Sequence, residues 1–298
     1  MKLSKSIKAD LALVAMTFIW GSMFTIVKQS LAQASPVFFV ALRFSIAAVL
    51  TLCFMPGQVR KISGRTLFRG LLLSIVLLGA FIFQTIGLRS TSAAHSAFIT
   101  SLCVLLVPFL GFLLFGSKLG GQTLAGVVLA TVGLFLLLVN MEDLRVQPGD
   151  WLTLVCAALF ALQIVLLGRF VASTEYRPLQ LLQMAGAAVL GLLLAPALET
   201  PFIVWDSRLT FYLLFAGVLA TALAFYVQAS AQRLTTPNRA ALIFSLEPFF
   251  AALFAYWVTG QGLTAKEWIG GILVLAGVLI SELRYGSWRG RRLHSMLL

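Results

Sequence analysis

The feature that most constrains this chain is the recurrence of apolar stretches near twenty residues long, joined by short polar connections. About 20 mostly apolar residues are what a helix needs to cross the hydrocarbon core of a bilayer. Ten segments meet that length, at 10–31, 36–55, 67–88, 93–115, 121–140, 150–171, 178–198, 208–230, 237–259 and 266–284. With no water in lipid to bond exposed peptide groups, each is expected to be helical. Only 11% of the 298 residues are charged and 60% are hydrophobic, against about 25% charged in an ordinary soluble domain. No polar stretch is long enough to build a soluble catalytic domain. Pro36, Pro148, Pro178, Pro201 and Pro237 lie at or near segment ends, where a missing N–H breaks little.

In a soluble protein the formal charge of +12 would point to nucleic acid. Here Lys and Arg gather in the short connections, the pattern that sets membrane orientation. With a cytoplasmic N-terminus, sixteen basic residues lie on that side, and five (Lys28, Arg89, Arg145, Arg208 and Lys266) lie opposite. The bias places both termini in the cytoplasm, requires an even helix count and makes the inner membrane the expected location. Ala32-Gln33-Ala34 resembles a signal-peptide cleavage site, but the run from Leu11 to Leu31 is longer than a signal core, so it reads as an uncleaved first helix.

The chain repeats itself. Ala80, Phe81, Gln84, Arg89 and Thr91 match Ala224, Phe225, Gln228, Arg233 and Thr235 at a constant offset of 144. The same offset maps Gly116, Leu119, Gly126 and Gly133 onto Gly260, Leu263, Gly270 and Gly277. Asp10 and Trp20 align with Asp150 and Phe160 at an offset of 140. Two five-helix repeats are therefore expected, over 1–145 and 146–298. Five is odd, so the second must enter the membrane from the opposite side, the inverted-repeat plan common among secondary transporters. The full expectation is an all-α membrane protein of ten transmembrane helices in two inverted repeats.

Three motifs then carry a family resemblance over nearly the whole chain. Trp20-Gly21-Ser22-x-Phe24-x-x-x-Lys28 resembles the first-helix signature of the drug/metabolite transporter superfamily, in its EamA-type branch. Leu42-Arg43-Phe44 is similar to that family's arginine motif, and Ser245-Leu246-Glu247-Pro248 to its late-helix motif. Where the family often has Gly-Glu after helices 4 and 9, this chain reads Gly116-Ser117 and Gly260-Gln261. The resemblance implies a transporter, often an exporter, of small metabolites such as amino acids.

Two charges lie deep in apolar segments. Arg43 sits in the second and Glu247 near the middle of the ninth. A charge at such depth faces protein or water and marks a functional site, with a purely structural ion pair as the alternative. A carboxylate can also carry a proton, which makes Glu247 the candidate coupling group and Arg43 its candidate partner. Pro248, beside Glu247, removes a helical hydrogen bond in mid-membrane, and Pro108 is expected to act likewise in helix 4. Gln84 and Gln228, being repeat equivalents, are expected to face each other across a central cavity. Gln163 and Gln183 are weaker candidates, because interhelical hydrogen bonding accounts for them equally well. Trp20 and Tyr226 are candidate walls of an apolar substrate pocket, with ordinary packing as the alternative. Gly126/Gly133 and Gly270/Gly277 read as close-packing positions, Cys53, Cys103 and Cys156 as buried packing residues, and His95 as a satisfied polar residue.

Other chemistry finds no footing in these residues. No Gly-rich phosphate loop with Lys and Ser/Thr occurs, so this chain does not drive transport with ATP. There is no metal-ligand spacing and no Ser/His/Asp set, and no cofactor is expected. The expected partners are a small-molecule substrate and the lipid bilayer, with no nucleic acid and with room for a homodimer. The reading is a secondary carrier working by alternating access; a channel, a membrane-embedded enzyme and a non-transporting membrane protein are its rivals.

Overall fold

The computed structural model describes residues 5–117, 120–138, 147–259 and 264–282. Lys2, Lys118, Leu119, Arg145, Gly260, Gln261, Leu263 and the tail from 283 lie outside these residues. The described chain is helical throughout. One isolated antiparallel bridge, Ala34 to Ile203, is the only extended pairing among the described residues.

The helices run α1 Lys5–Gly21, α2 Met23–Ser30, α3 Pro36–Phe54, α4 Gly64–Gly87, α5 Ala93–Ser101, α6 Cys103–Phe115 and α7 Gly121–Leu138 in the first half. In the second they are α8 Pro148–Val171, α9 Tyr176–Leu198, α10 Ser207–Leu214, α11 Ala224–Ala231, α12 Pro237–Phe244, α13 Glu247–Thr259 and α14 Ala265–Glu282, with a π-helix, Phe215–Leu223, joining α10 to α11. Their starts are written locally. Pro36, Pro148 and Pro237 occupy first-turn positions, and the side chains of Ser63, Ser92 and Thr236 accept N–H bonds from the turns they open. Helix α6 ends at Gly116, whose φ of 63° lies in the left-handed region. Gly116 N bonds Phe112 O, and Ser117 N reaches back to Gly111 O, which closes the last turn.

Seven spans are long and apolar enough to cross a membrane: Lys5–Ser30, Pro36–Phe54, Gly64–Gly87, His95–Phe115, Pro148–Val171, Tyr176–Leu198 and Ser207–Ala231. Two shorter apolar helices, Gly121–Leu136 and Trp268–Ile280, accompany them. Large apolar side chains such as Phe54, Phe68, Phe109, Phe112 and Leu193 point outward, as expected where lipid is the solvent.

The fourth and ninth spans, where proline was expected to disturb the helix, are broken, and so is the first. The first parts at Ser22, between α1 and α2; the fourth parts at Leu102; the ninth parts at Ser245–Leu246. Leu102 and Leu246 are repeat equivalents. The first break has no proline near it. Pro248 lies in the first turn of α13, where its missing N–H is an orphan anyway. Pro108 sits inside α6, past the break. At each break the chain tightens to a bond three residues back, Ser22 N to Ile19 O, Leu102 N to Ile99 O and Leu246 N to Ile243 O.

The small-residue positions do what their spacing suggested. A methyl group at Gly133 would fall 2.6 Å from Gly270 O, and one at Gly277 would fall 2.6 Å from Gly126 O. So α7 and α14 meet backbone to backbone, and each contact is the other's repeat counterpart. At one end of the bundle the 31–35 connection is stitched to 202–206. Ser35 N donates to Phe202 O and Val204 N to Gln33 O. Asp206 accepts from Leu209 N and from Gln33 Nε2, and those bonds, Leu209's first, hold its carboxyl below the usual aspartate range. Cys103 and Cys156 are buried as expected, whereas Cys53 is exposed on the apolar exterior.

Candidate functional site

The helix breaks converge. A cavity of about 70 Å³ lies among them, lined by Trp20, Met23 and Phe24 at the first break, by Thr100, Ser101 and Cys103 at the second, and by Phe244 and Glu247 at the third. Arg43, Phe81, Gln84, Phe160, Gln163, Phe225 and Gln228 complete its middle. Gly21 makes the junction possible. A methyl group there would meet Ala251 N at 2.9 Å and Glu247 O at 3.0 Å, so the Trp20-Gly21-Ser22 turn lies directly on the start of α13.

The π-helix shapes one wall. In its wider turns Thr221 Oγ1 donates to Ala216 O, five residues back, at 2.7 Å. Trp20 Nε1 donates to Ala220 O at 2.8 Å, and Arg43 Nε donates to Thr221 Oγ1 at 3.0 Å. Two side chains from separate helices are thus held by adjacent residues of one irregular turn. The Arg43 guanidinium also lies 4.4 Å from the centroid of the Phe81 ring, a cation–π contact.

Arg43 and Glu247 both line the cavity, but they form no ion pair with each other. The Glu247 side chain has no hydrogen-bonding or ionic partner among the described residues. Arg43, the candidate partner of Glu247, thus makes no direct ion pair with it; a guanidinium and a carboxyl group lie separately in one chamber. The chamber walls are aromatic. The Trp20 ring lies 5.4 Å from Phe225 and 5.2 Å from Phe244, and Phe81 lies 5.2 Å from Phe160.

Gln84 and Gln228 both reach the cavity. Gln84 Nε2 donates to Thr100 Oγ1 at 3.2 Å, and Gln228 Nε2 to Gln163 Oε1 at 3.1 Å. The remaining amide atoms of the second pair, Gln228 Oε1 and Gln163 Nε2, are buried without a protein partner. Buried polar atoms left unpaired cost about 1–3 kcal/mol each.

Tyr226 is not part of this chamber. Its hydroxyl lies 3.0 Å from that of Tyr176, beside Arg177 and Arg233. The reason is helical register. Phe225 and Gln228 share a face at a spacing of three, and Tyr226 is turned about 100° from Phe225. Gln183 is buried but does not line the cavity. A second cavity, of about 390 Å³, is lined by Ser117, Thr123, Arg169, Asn238 and Arg239 among others. Among the described residues no group of three or more His, Cys, Asp or Glu gathers to hold a metal ion.

The EamA-like transporter family matches this chain at residues 7–139 and 147–283. The chain belongs to that family. An uncharacterized transporter of Archaeoglobus fulgidus is 32% identical over 94% of this chain and 87% of its own length. The uncharacterized transporter YoaV of Bacillus subtilis is 20% identical, over 94% of this chain and 98% of its own. A solved crystal structure superposes with a TM-score of 0.76 at 18% identity, covering 93% of this chain and 98% of the other, a likeness of fold. This EamA-family member is thus a multi-pass membrane transporter and not an enzyme, and its cavity is the place to look for a small-molecule substrate.

Within that family member, the residues that sequence reasoning passed over are Phe81, Thr100, Phe160 and Thr221, and it undervalued Gln163. A signal existed for two of them. Phe160 is the repeat partner of Trp20, and Phe81 that of Phe225. Nothing local marks Thr221, whose role depends on the π-helix.

Proposed function

We propose that this protein is a secondary transporter that moves small zwitterionic metabolites, amino acids or related compounds, outward across the inner membrane. It does so by alternating access, with two inverted five-helix repeats, 1–145 and 146–298, rocking around the central cavity. In this reading it has ten membrane-spanning helices. The short apolar helices at Gly121–Leu136 and Trp268–Ile280 and the broken pair α12–α13 add three to the seven long spans, and the reciprocal glycine contacts of α7 and α14 favour the two-repeat plan. Both termini are cytoplasmic. The export direction comes from the family resemblance.

One observation carries the choice of substrate: a buried cation, Arg43, and an acid, Glu247, line one aromatic chamber without pairing with each other. A zwitterion with an apolar body complements all three features, its carboxylate toward Arg43 and its ammonium toward Glu247. When no substrate is bound, Glu247 can take up a proton, which makes it the coupling group of the cycle. The unpaired amide atoms of Gln163 and Gln228 add polar contacts.

The test is counterflow in proteoliposomes with a panel of neutral amino acids, their amides and their deaminated acids. The zwitterions should exchange, with both modified sets at least ten-fold weaker, the loss expected when a buried charge is left unpartnered. Equal exchange of the amides would remove Arg43 as the carboxylate site. Glu247→Gln should still bind substrate yet lose transport driven by a proton gradient. Full gradient-driven accumulation by that variant would end the coupling role.

A further inference from the structure

Both ends of the bundle carry the same device, built from residues the cavity does not use. At one end Arg239, in the first turn of α12, meets Asp10, near the start of α1, with Nη2 to Oδ2 at 2.5 Å and side chains 9% and 8% exposed. At the other end His95, in the first turn of α5, has Nδ1 3.9 Å from Asp150 Oδ2 at the start of α8. Asp150 also accepts from Thr91 Oγ1 and Gln147 N, and Lys28 Nζ donates to the carbonyls of Leu88 and Thr91. Lys28 closes the span that Asp10 opens. Their separation of 18 positions corresponds to roughly 27 Å of helical rise, so the two pairs sit at opposite ends of the molecule.

The pairs are also equivalent. The offset of 140 that aligns Trp20 with Phe160 carries Asp10 to Asp150, and the offset of 144 that aligns Thr91 with Thr235 carries His95 to Arg239. Each pair therefore joins the first helix of one repeat to the fourth span of the other, and the repeat relation exchanges them. The backbone beneath agrees. A methyl group at Gly87 would fall 2.8 Å from Gly149 O at one end, and the counterparts Ala231 and Ala9 share a buried cluster at the other.

We infer that Asp10–Arg239 and His95–Asp150 are the two latches of the transport cycle, one fastening each end of the cavity. This rests on the alternating-access reading. Opening an end requires the two repeats to part there, and the pair bridging them must separate. Water that enters then hydrates the released polar side chains, which offsets the lost attraction. A latch of this kind gives two discrete states rather than a gradual deformation. In the present structure the side chains are in contact at both ends, and the cavity lies between them.

The test reads access to Cys103, whose side chain lines the cavity, in full-length protein with Cys53→Ala and Cys156→Ala. A membrane-impermeant methanethiosulfonate cation is applied from each face of sealed vesicles in turn. Asp10→Asn should raise the labelling rate from the Asp10 face by roughly five-fold, the low end of coupling between two sites, and lower it from the opposite face. Asp150→Asn should do the reverse. The exchanged variant Asp10→Arg/Arg239→Asp should return labelling toward that of the parent. A shift in the same direction for both single variants, or none for either, overturns the inference. Should Asp10→Asn fail to fold, unchanged labelling in Asp150→Asn overturns it alone. Counterflow in the same vesicles separates the two claims: intact counterflow with unchanged access removes only the latches, whereas no counterflow in the parent removes the carrier itself.

Discussion

Trp20 and Arg43 come from different helices, yet both depend on Ala220 and Thr221 of the π-helix. A buried guanidinium normally calls for a counter-ion. Here Arg43 has a hydroxyl and an aromatic face, and the latter is worth about 1–2 kcal/mol when desolvated. In the proposed function its charge receives the substrate carboxylate. Trp20→Phe removes the bond to the Ala220 carbonyl and some ring volume. It should cost about 1–2 kcal/mol of stability and also weaken substrate binding, because the freed π turn no longer positions Arg43. Thermal melts in detergent with and without substrate measure both effects. Ligand-induced stabilisation equal to that of the unsubstituted protein would show that the tether does not shape the site. Arg43 and Glu247 were legible as single residues because a charge within an apolar run has few bland explanations. Tyr226 was misplaced because residue type says nothing about which face of a helix turns inward.

At the scale of elements, the cavity exists because three spans stop and restart. A continuous helix offers no backbone groups to a ligand, whereas a broken one exposes chain ends in mid-membrane. The proline at position 248 directed attention to the right span, and the break lies in the turn before it. The breaks at Ser22 and Leu102 carry no proline at all. Close helix packing, by contrast, was visible in the glycine spacing. Gly133→Val should press on Gly270 O and Val274 and cost about 1–3 kcal/mol, the usual range for an overpacked contact. The variant should melt earlier in detergent, and shortening Val274 to Ala should recover only part of the loss, because the carbonyl of Gly270 cannot retreat. Recovery to the full melting temperature would locate the strain in side chains rather than in the backbone approach.

At the scale of the whole molecule, the two-repeat reading makes a topological demand. Reporter fusions at both termini and cysteine labelling in the 56–66 connection should all report the cytoplasm. The 141–149 connection should label from the opposite side. Termini on opposite faces would be incompatible with an even number of spans and would end the inverted-repeat proposal.

The sequence by itself determined the solvent, the helical class and the family. Apolar runs near bilayer length leave the backbone no alternative to helix, and motifs such as Trp20-Gly21-Ser22 survive in order along the chain. It also named five of the residues that line the cavity: Trp20, Arg43, Gln84, Gln228 and Glu247. Only the tertiary structure decided how those residues meet. Whether Arg43 pairs with Glu247 or with Thr221 depends on distances between helices far apart in sequence, which no local pattern encodes. The π-helix is likewise a tertiary outcome. Its apolar residues have ordinary helical propensity, and the wider turn accompanies the contacts that Trp20 and Arg43 make with it from outside.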